Sequence, residues 1–254
     1  MEGIRKPMQG VANIVRFNWP FFAISGGVLL VLILLTPWLP QPYQWMTVVA
    51  GVLIVLPLFV SLLASWYIYD RSPLYSLTWL DSLHLPVKDS FLNIHAGFDE
   101  TSHLLRRKYP NATMQVFDFY NPALHTEPSI QRARKAYPPY PNTQIISTLD
   151  IPLADQSADV IFVIFAAHEI RDDAERVLFF QHLRRVLKEG GRIVMTAHLR
   201  DVPNFLVYNM GFLHFLPLTV WEATFAGAGL RVSNTIPITP FVTTFSLEKN
   251  GITP

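Results

Sequence analysis

Two histidine clusters and two separate aspartates are the side chains of this 254-residue chain best suited to chemistry. The run Ala166-Ala-His168-Glu169-Ile-Arg171-Asp172 follows one strongly apolar stretch, and Thr196-Ala-His198-Leu-Arg-Asp201 follows another. Imidazole titrates near neutrality, so His168, oriented by the Glu169 carboxylate, suits a general base, and His198 is the second candidate. The plain alternative for either ring is a hydrogen-bonded cap or a structural contact. His168, His198 and Asp201 are also metal-ligand types, but no tight ligand spacing joins them, and no metal is expected. Asp118 closes a strand-like run about 20 residues beyond a first turn, where a carboxylate accepts hydrogen bonds from a ribose diol.

The elements that must position these residues alternate. Strand-like runs at 90–94, 113–118, 143–147, 158–165, 192–196, 230–236 and 243–248 are separated by helix-like runs at 101–108, 129–136, 172–187 and 218–228. The run at 158–165 is apolar almost throughout, as in a strand buried on both faces. Such alternation predicts an α/β fold with a doubly wound, mostly parallel sheet, which binds ligands at the carboxyl ends of its strands. The candidate residues follow those ends.

The rest of the chain reads differently. From Phe17 to Tyr69 there is no Asp, Glu, Lys or Arg. Apolar runs at 19–39 and 46–69 each reach the length of about 20 residues that crosses a bilayer. A proline-rich connector at 36–44 separates them, and Trp and Tyr mark their ends, where amphipathic rings prefer the interface. Two transmembrane helices forming a hairpin are expected. Arg5, Lys6 and Arg16 precede the hairpin and Arg71 follows it, which places both termini and the catalytic domain on the cytoplasmic side. The expected organisation is a tail at 1–18, the hairpin at 19–69, a juxtamembrane linker with a helix near 74–83 inside 70–88, and a domain at 89–254. A net charge of +1 favours neither a nucleic-acid partner nor a polyanionic substrate. The absence of Cys excludes disulfides and thiolate chemistry. The uncharged segment 202–220, crowded with aromatic and aliphatic residues around His214, reads as a helix packed on the sheet or as a lid over an oily ligand.

The run Leu183-Arg-Arg-Val-Leu-Lys-Glu-Gly-Gly-Arg-Ile-Val-Met195 resembles the helix, turn and fifth strand of the class I S-adenosylmethionine-dependent methyltransferases, with Glu189 where the family usually has proline. Upstream, Leu149-Asp150-Ile-Pro-Leu-Ala-Asp-Gln-Ser-Ala-Asp-Val-Ile161 is similar to the family's passage into its fourth strand. The resemblance covers roughly residues 91–248. It implies a seven-stranded Rossmann-like sheet, S-adenosylmethionine as cofactor and methyl transfer as the activity. By the same resemblance, Asp118 faces the ribose, Asp150 and Ile151 face the adenine, and Asn93, His95 and Gly97 form the first turn beside the cofactor. That turn departs from the family's acidic residue and three alternating glycines: Asn93-Ile-His95-Ala-Gly97-Phe-Asp99 keeps only Gly97. With a membrane hairpin ahead of the domain, the expected acceptor is a lipophilic small molecule met at the bilayer, such as a quinone, a phenolic or polyene pigment, or a lipid. The alternative is a degenerate methyltransferase-fold protein that binds or scaffolds at the membrane. A nicotinamide-dependent oxidoreductase would need a G-x-G-x-x-G turn, which is missing.

Overall fold

The computed structural model describes residues 5–124 and 127–251; residues 1–4 of the expected tail and 252–254 of the expected domain lie outside them. The chain runs α1 (Gln9–Phe17), α2 (Trp19–Leu35), α3 (Gln41–Trp66), β1 (Ser90–His95), α4 (Ser102–Lys108), β2 (Thr113–Asp118), α5 (Pro128–Ala136), β3 (Gln144–Ile145), β4 (Ala158–Ile164), α6 (Asp173–Val186), β5 (Leu187–Ala197), α7 (Val202–Tyr208), α8 (Leu218–Gly227), β6 (Leu230–Thr239) and β7 (Val242–Lys249).

The seven strands form one sheet in the order β3-β2-β1-β4-β5-β7-β6. Pairs among β1 to β5 are parallel, and β7 is antiparallel to both its neighbours. Strand order reverses between β1 and β4, which opens a crevice at their carboxyl ends. All seven residues of β4 are buried, as its unbroken apolar run requires. One sheet face packs on Phe179, Phe180, Trp221 and Phe225 of α6 and α8. The other packs on Leu77, Trp79, Leu80 and Leu105. Each fully buried aromatic on these faces contributes about 2–3 kcal/mol of transfer free energy.

Local chemistry sets the ends of the elements. Asp172 caps α6 by accepting the Glu175 N–H at 2.8 Å. The glycine pair after α6 has a steric cause: a Cβ on Gly191 would lie 2.7 Å from the Asp159 carbonyl. The chain bulges across 187–191 and resumes pairing at Val160↔Arg192, so β5 starts earlier than the sequence pattern suggested. Asp159 Oδ2 gathers the backbone N–H groups of Lys88, Asp89 and Ser90, fixing the start of β1 against β4.

The N-terminal segment divides in two. α2 has no buried residue and α3 buries only Ala64 and Ser65 at its end, so the helix pair stands away from the domain. Trp19–Trp38 and Gln41–Arg71 are long and apolar enough to cross a membrane. A 2.7 Å contact between the Thr36 and Thr47 hydroxyls joins the pair near its tip. The expected tail instead contains α1, which packs on α3 and α5. The helix expected near 74–83 is a shorter 3-10 helix, Thr78–Leu83.

Candidate active site

At the crevice between β1 and β4 lies a cavity of about 460 Å³. Its floor is Ala96 and Phe98 after β1, Phe165, His168 and Glu169 after β4, and His198 after β5. Asn13, Ile14 and Phe17 of α1 roof it, Tyr69 and Tyr75 close one side, and Tyr208, His214 and Phe215 close another. The lining is mostly apolar and aromatic, with three carboxylates (Glu100, Glu127 and Glu169) at the polar positions.

α1 is held on this cavity by polar contacts as well as packing. Asp70 accepts the Gly10 and Val11 N–H groups at 2.8 and 3.0 Å, capping the helix start. Asn13 Oδ1 accepts the Tyr137 hydroxyl at 2.8 Å. Glu100 accepts from Arg5 at 2.6 Å and from the Tyr75 hydroxyl at 2.5 Å. The Phe17 ring meets Phe98 and Tyr137 edge-on.

After β4, a short 3-10 turn (Ala167–Glu169) turns His168 and Glu169 toward the cavity. His168 Nε2 lies 3.2 Å from Glu169 Oε1. His214, from the segment between α7 and α8, brings its Nε2 to 3.4 Å from the same oxygen. Its Nδ1 lies 2.7 Å from Glu127 Oε1. Burial opposes the charge on Glu169, but the two imidazoles outweigh it and hold its carboxyl well below the usual carboxylate range.

His198 has a different environment. Its Nδ1 donates to the Phe241 carbonyl at 2.8 Å, which leaves Nε2 to accept the Tyr69 hydroxyl, also at 2.8 Å. The ring stacks between Phe165 and Phe215, with centroids 5.1 and 4.8 Å away. Both ring nitrogens are therefore committed within the protein, and no lone pair remains for an acceptor. Burial pushes its pKa down to about 4. The unfolded chain, with histidine near 6.5, takes up a proton that the folded chain refuses. The contribution is therefore fully present above about pH 6.5 and lost as pH falls through about 4, a change of about 3 kcal/mol. Denaturation of the detergent-solubilised chain at about pH 7.5 and about pH 4 measures it. The wild type should lose about 3 kcal/mol more than His198→Gln, and equal losses would refute the assignment.

The β1 turn is folded around its departures from glycine. Gly97 has φ +93, and a Cβ there would lie 2.7 Å from Arg134 Nη1 and 3.0 Å from Tyr120 Cγ. His95 is buried, its Nδ1 accepting the Gly97 N–H at 3.1 Å, while its Nε2 has no partner. Asn93 donates to the Thr101 and Ser102 hydroxyls at 3.0 and 2.8 Å, so its amide is spent inside the loop. Asp118 Oδ1 lies 3.8 Å from His95 Nδ1 and accepts the Tyr120 N–H, and its Oδ2 accepts from Arg134. Asn93, His95, Gly97 and Asp118 thus share one edge of the sheet. Asp150 is exposed and bridges to Ser147, while Ile151 is buried in the core with its carbonyl held by Arg185 at 2.8 Å. Neither lines the cavity.

The sequence pattern gave no sign of α1, Tyr69, Glu100, Glu127 or Arg134 at this site. His214 stood out only as a polar residue in an oily segment.

Residues 104–195 match a family profile described as a methyltransferase domain. No curated protein matches the chain. A solved structure of a protein from Pyrococcus horikoshii OT3 is 14% identical, with 72% of this chain and 95% of that chain covered and a TM-score of 0.51. S-adenosylmethionine-dependent methyltransferases from Aquifex aeolicus and Clostridium acetobutylicum are 16% and 11% identical, with TM-scores of 0.48 and 0.49. They cover 75% and 70% of this chain, and 97% and 90% of their own chains are matched.

Proposed function

We propose that this chain, whose globular domain belongs to the class I S-adenosylmethionine-dependent methyltransferases, is membrane-attached through α2 and α3 and methylates a lipophilic small molecule that enters from the bilayer. Bound S-adenosylmethionine supplies an electrophilic sulfonium methyl. The residues present fit its adenosyl part: a strand-end glycine at positive φ, the Asp118 carboxylate after β2 and the unpartnered His95 Nε2. Arg134 lies over Gly97 and Asp118, and its half-exposed side chain must withdraw to uncover them.

The observation that carries the reading is that the spanning helix ends inside the cavity. Tyr69, in the π-helical turn that continues α3, forms part of the cavity wall and donates to His198. Beside it, Val207 of α7 packs on Ala64 and Ile68, while Val202, Leu206 and Met210 are more than 60% exposed. An apolar face next to the end of an apolar hairpin suits a surface that dips into the interface. The chain's own contribution to transfer is alignment and water exclusion, with His168 and Glu169 as the polar pair nearest an acceptor oxygen.

The test uses the full chain in vesicles of lipid extract with S-adenosylmethionine labelled at its methyl group. Label should pass into an organic-extractable small molecule, and label confined to protein or to water-soluble products would overturn the reading. Arg134 over Asp118 favours a second reading, a domain that holds cofactor without turning it over. That reading predicts calorimetric binding of S-adenosylmethionine with no transferred label.

A further inference from the structure

We infer that His168, Glu169 and His214 form a divalent transition-metal site in the wall of this cavity, with Glu127 orienting His214. One atom from each of the three residues lies within 4.8 Å of the others. Glu169 Oε1 is the shared apex, 3.2 Å from His168 Nε2 and 3.4 Å from His214 Nε2. Tetrahedral coordination with bonds of about 2.0–2.1 Å separates neighbouring ligand atoms by about 3.3 Å, so both edges already have a suitable length.

The placement of Glu127 supports the same reading. Glu127 Oε1 lies 2.7 Å from His214 Nδ1, a nitrogen that Arg171 Nη2 also approaches. A carboxylate beside one histidine nitrogen commonly orients the ring when the other nitrogen binds metal. Two imidazoles and one carboxylate suit Zn²⁺ and its borderline neighbours better than Mg²⁺ or Ca²⁺. Three protein ligands leave one position open, and all four residues line the cavity.

Arg171 opposes occupancy. Its Nη2 lies 2.9 Å from His214 Nε2, and its Nη1 donates to the His214 carbonyl at 2.6 Å. The side chain is exposed, so it can swing off the ring when a cation arrives. Against Arg171 stand the two carboxylates Glu127 and Glu169, which both lie against His214. The open position would polarise an acceptor oxygen, a consequence that rests on the methyl-transfer reading; the metal site itself does not.

The test is titration of the cofactor-free full chain in detergent with Co²⁺, followed by Zn²⁺ competition. One Co²⁺ per chain should give the visible bands of a four-coordinate ion, and Zn²⁺ should abolish them. Glu169→Gln and His214→Asn should each weaken Co²⁺ binding at least about tenfold, and Glu127→Gln about tenfold or more. Arg171→Ala should tighten binding several-fold, which a merely structural arginine would not do. The site is refuted if the wild type shows no bands at millimolar Co²⁺, as expected of an imidazolium–carboxylate pair, or if the variants bind as well as the wild type. Calorimetry with S-adenosylmethionine on the same preparations reads the other assignment separately. Cofactor binding without metal sinks the metal site alone, and metal binding without cofactor sinks the methyltransferase reading alone.

Discussion

Gly10→Val should reduce kcat/KM for methyl transfer about 100-fold while the chain stays folded. A Cβ at position 10 would lie 2.3 Å from Tyr69 Cβ, which is bonded directly to the backbone and cannot rotate away, and 2.9 Å from Asp70 Oδ2. α1 must therefore lift from the end of α3. That movement pulls the Asp70 cap off the Gly10 and Val11 N–H groups and moves Asn13 and Phe17 away from the cavity. Displacement of a positioning wall by about 1 Å costs roughly two decades in rate, and an opened roof readmits water. Gly26→Val is the control, because a Cβ there meets nothing within 4 Å on α2. It should leave turnover within about twofold of the wild type. Equal activity in the two variants would show that α1 is not part of the site.

This comparison separates two roles for the N-terminal segment. A pure tether could be exchanged for any other hairpin. Here α2 is flanked by α1, and α3 runs on to Tyr69, and both flanks line the cavity. The shape of the cavity therefore depends on how α2 and α3 enter the domain.

The sheet was legible chiefly because its central strand β4 is an unbroken apolar run, all of it buried, and apolar patterning reports burial directly. β3, with two exposed residues, barely qualifies as a strand, and the pattern at 143–147 overstated its length. The site was only partly legible. Local spacing brings His168 next to Glu169, but it cannot bring in His214, which the chain delivers from 46 positions away, or Glu127, from an earlier helix start. Those partners meet only because α5 and the α7–α8 segment converge on the β4 edge. Likewise, His198 was a candidate base because it follows the fifth strand, and a structural contact was the alternative. The atoms that occupy it, the Tyr69 hydroxyl and the Phe241 carbonyl, are more than 40 residues away on either side. Asp118 was found by position, whereas its pairing with Arg134 depends on the packing of α5.

Arg176 is the buried residue that connects this convergence to stability. Its guanidinium, fully enclosed, donates to the Ile170 carbonyl at 2.8 Å and to Thr224 Oγ1 at 3.1 Å, pairs with Asp173 and sits over the Trp221 ring. It thereby ties α6 to α8 and to the turn that presents His168 and Glu169. Arg176→Ala leaves the Ile170 carbonyl and the Thr224 hydroxyl without this donor and opens a cavity between the helices. The expected loss is about 3–4 kcal/mol in chemical denaturation. Arg176→Met refills the volume without the hydrogen bonds and should recover roughly half of that loss. Ile170 lies one residue past Glu169, so Arg176→Met should also loosen the turn and weaken Co²⁺ binding several-fold even where the domain remains folded. A Met variant as stable as the wild type, or one with unchanged Co²⁺ affinity, would show that the turn is held from elsewhere.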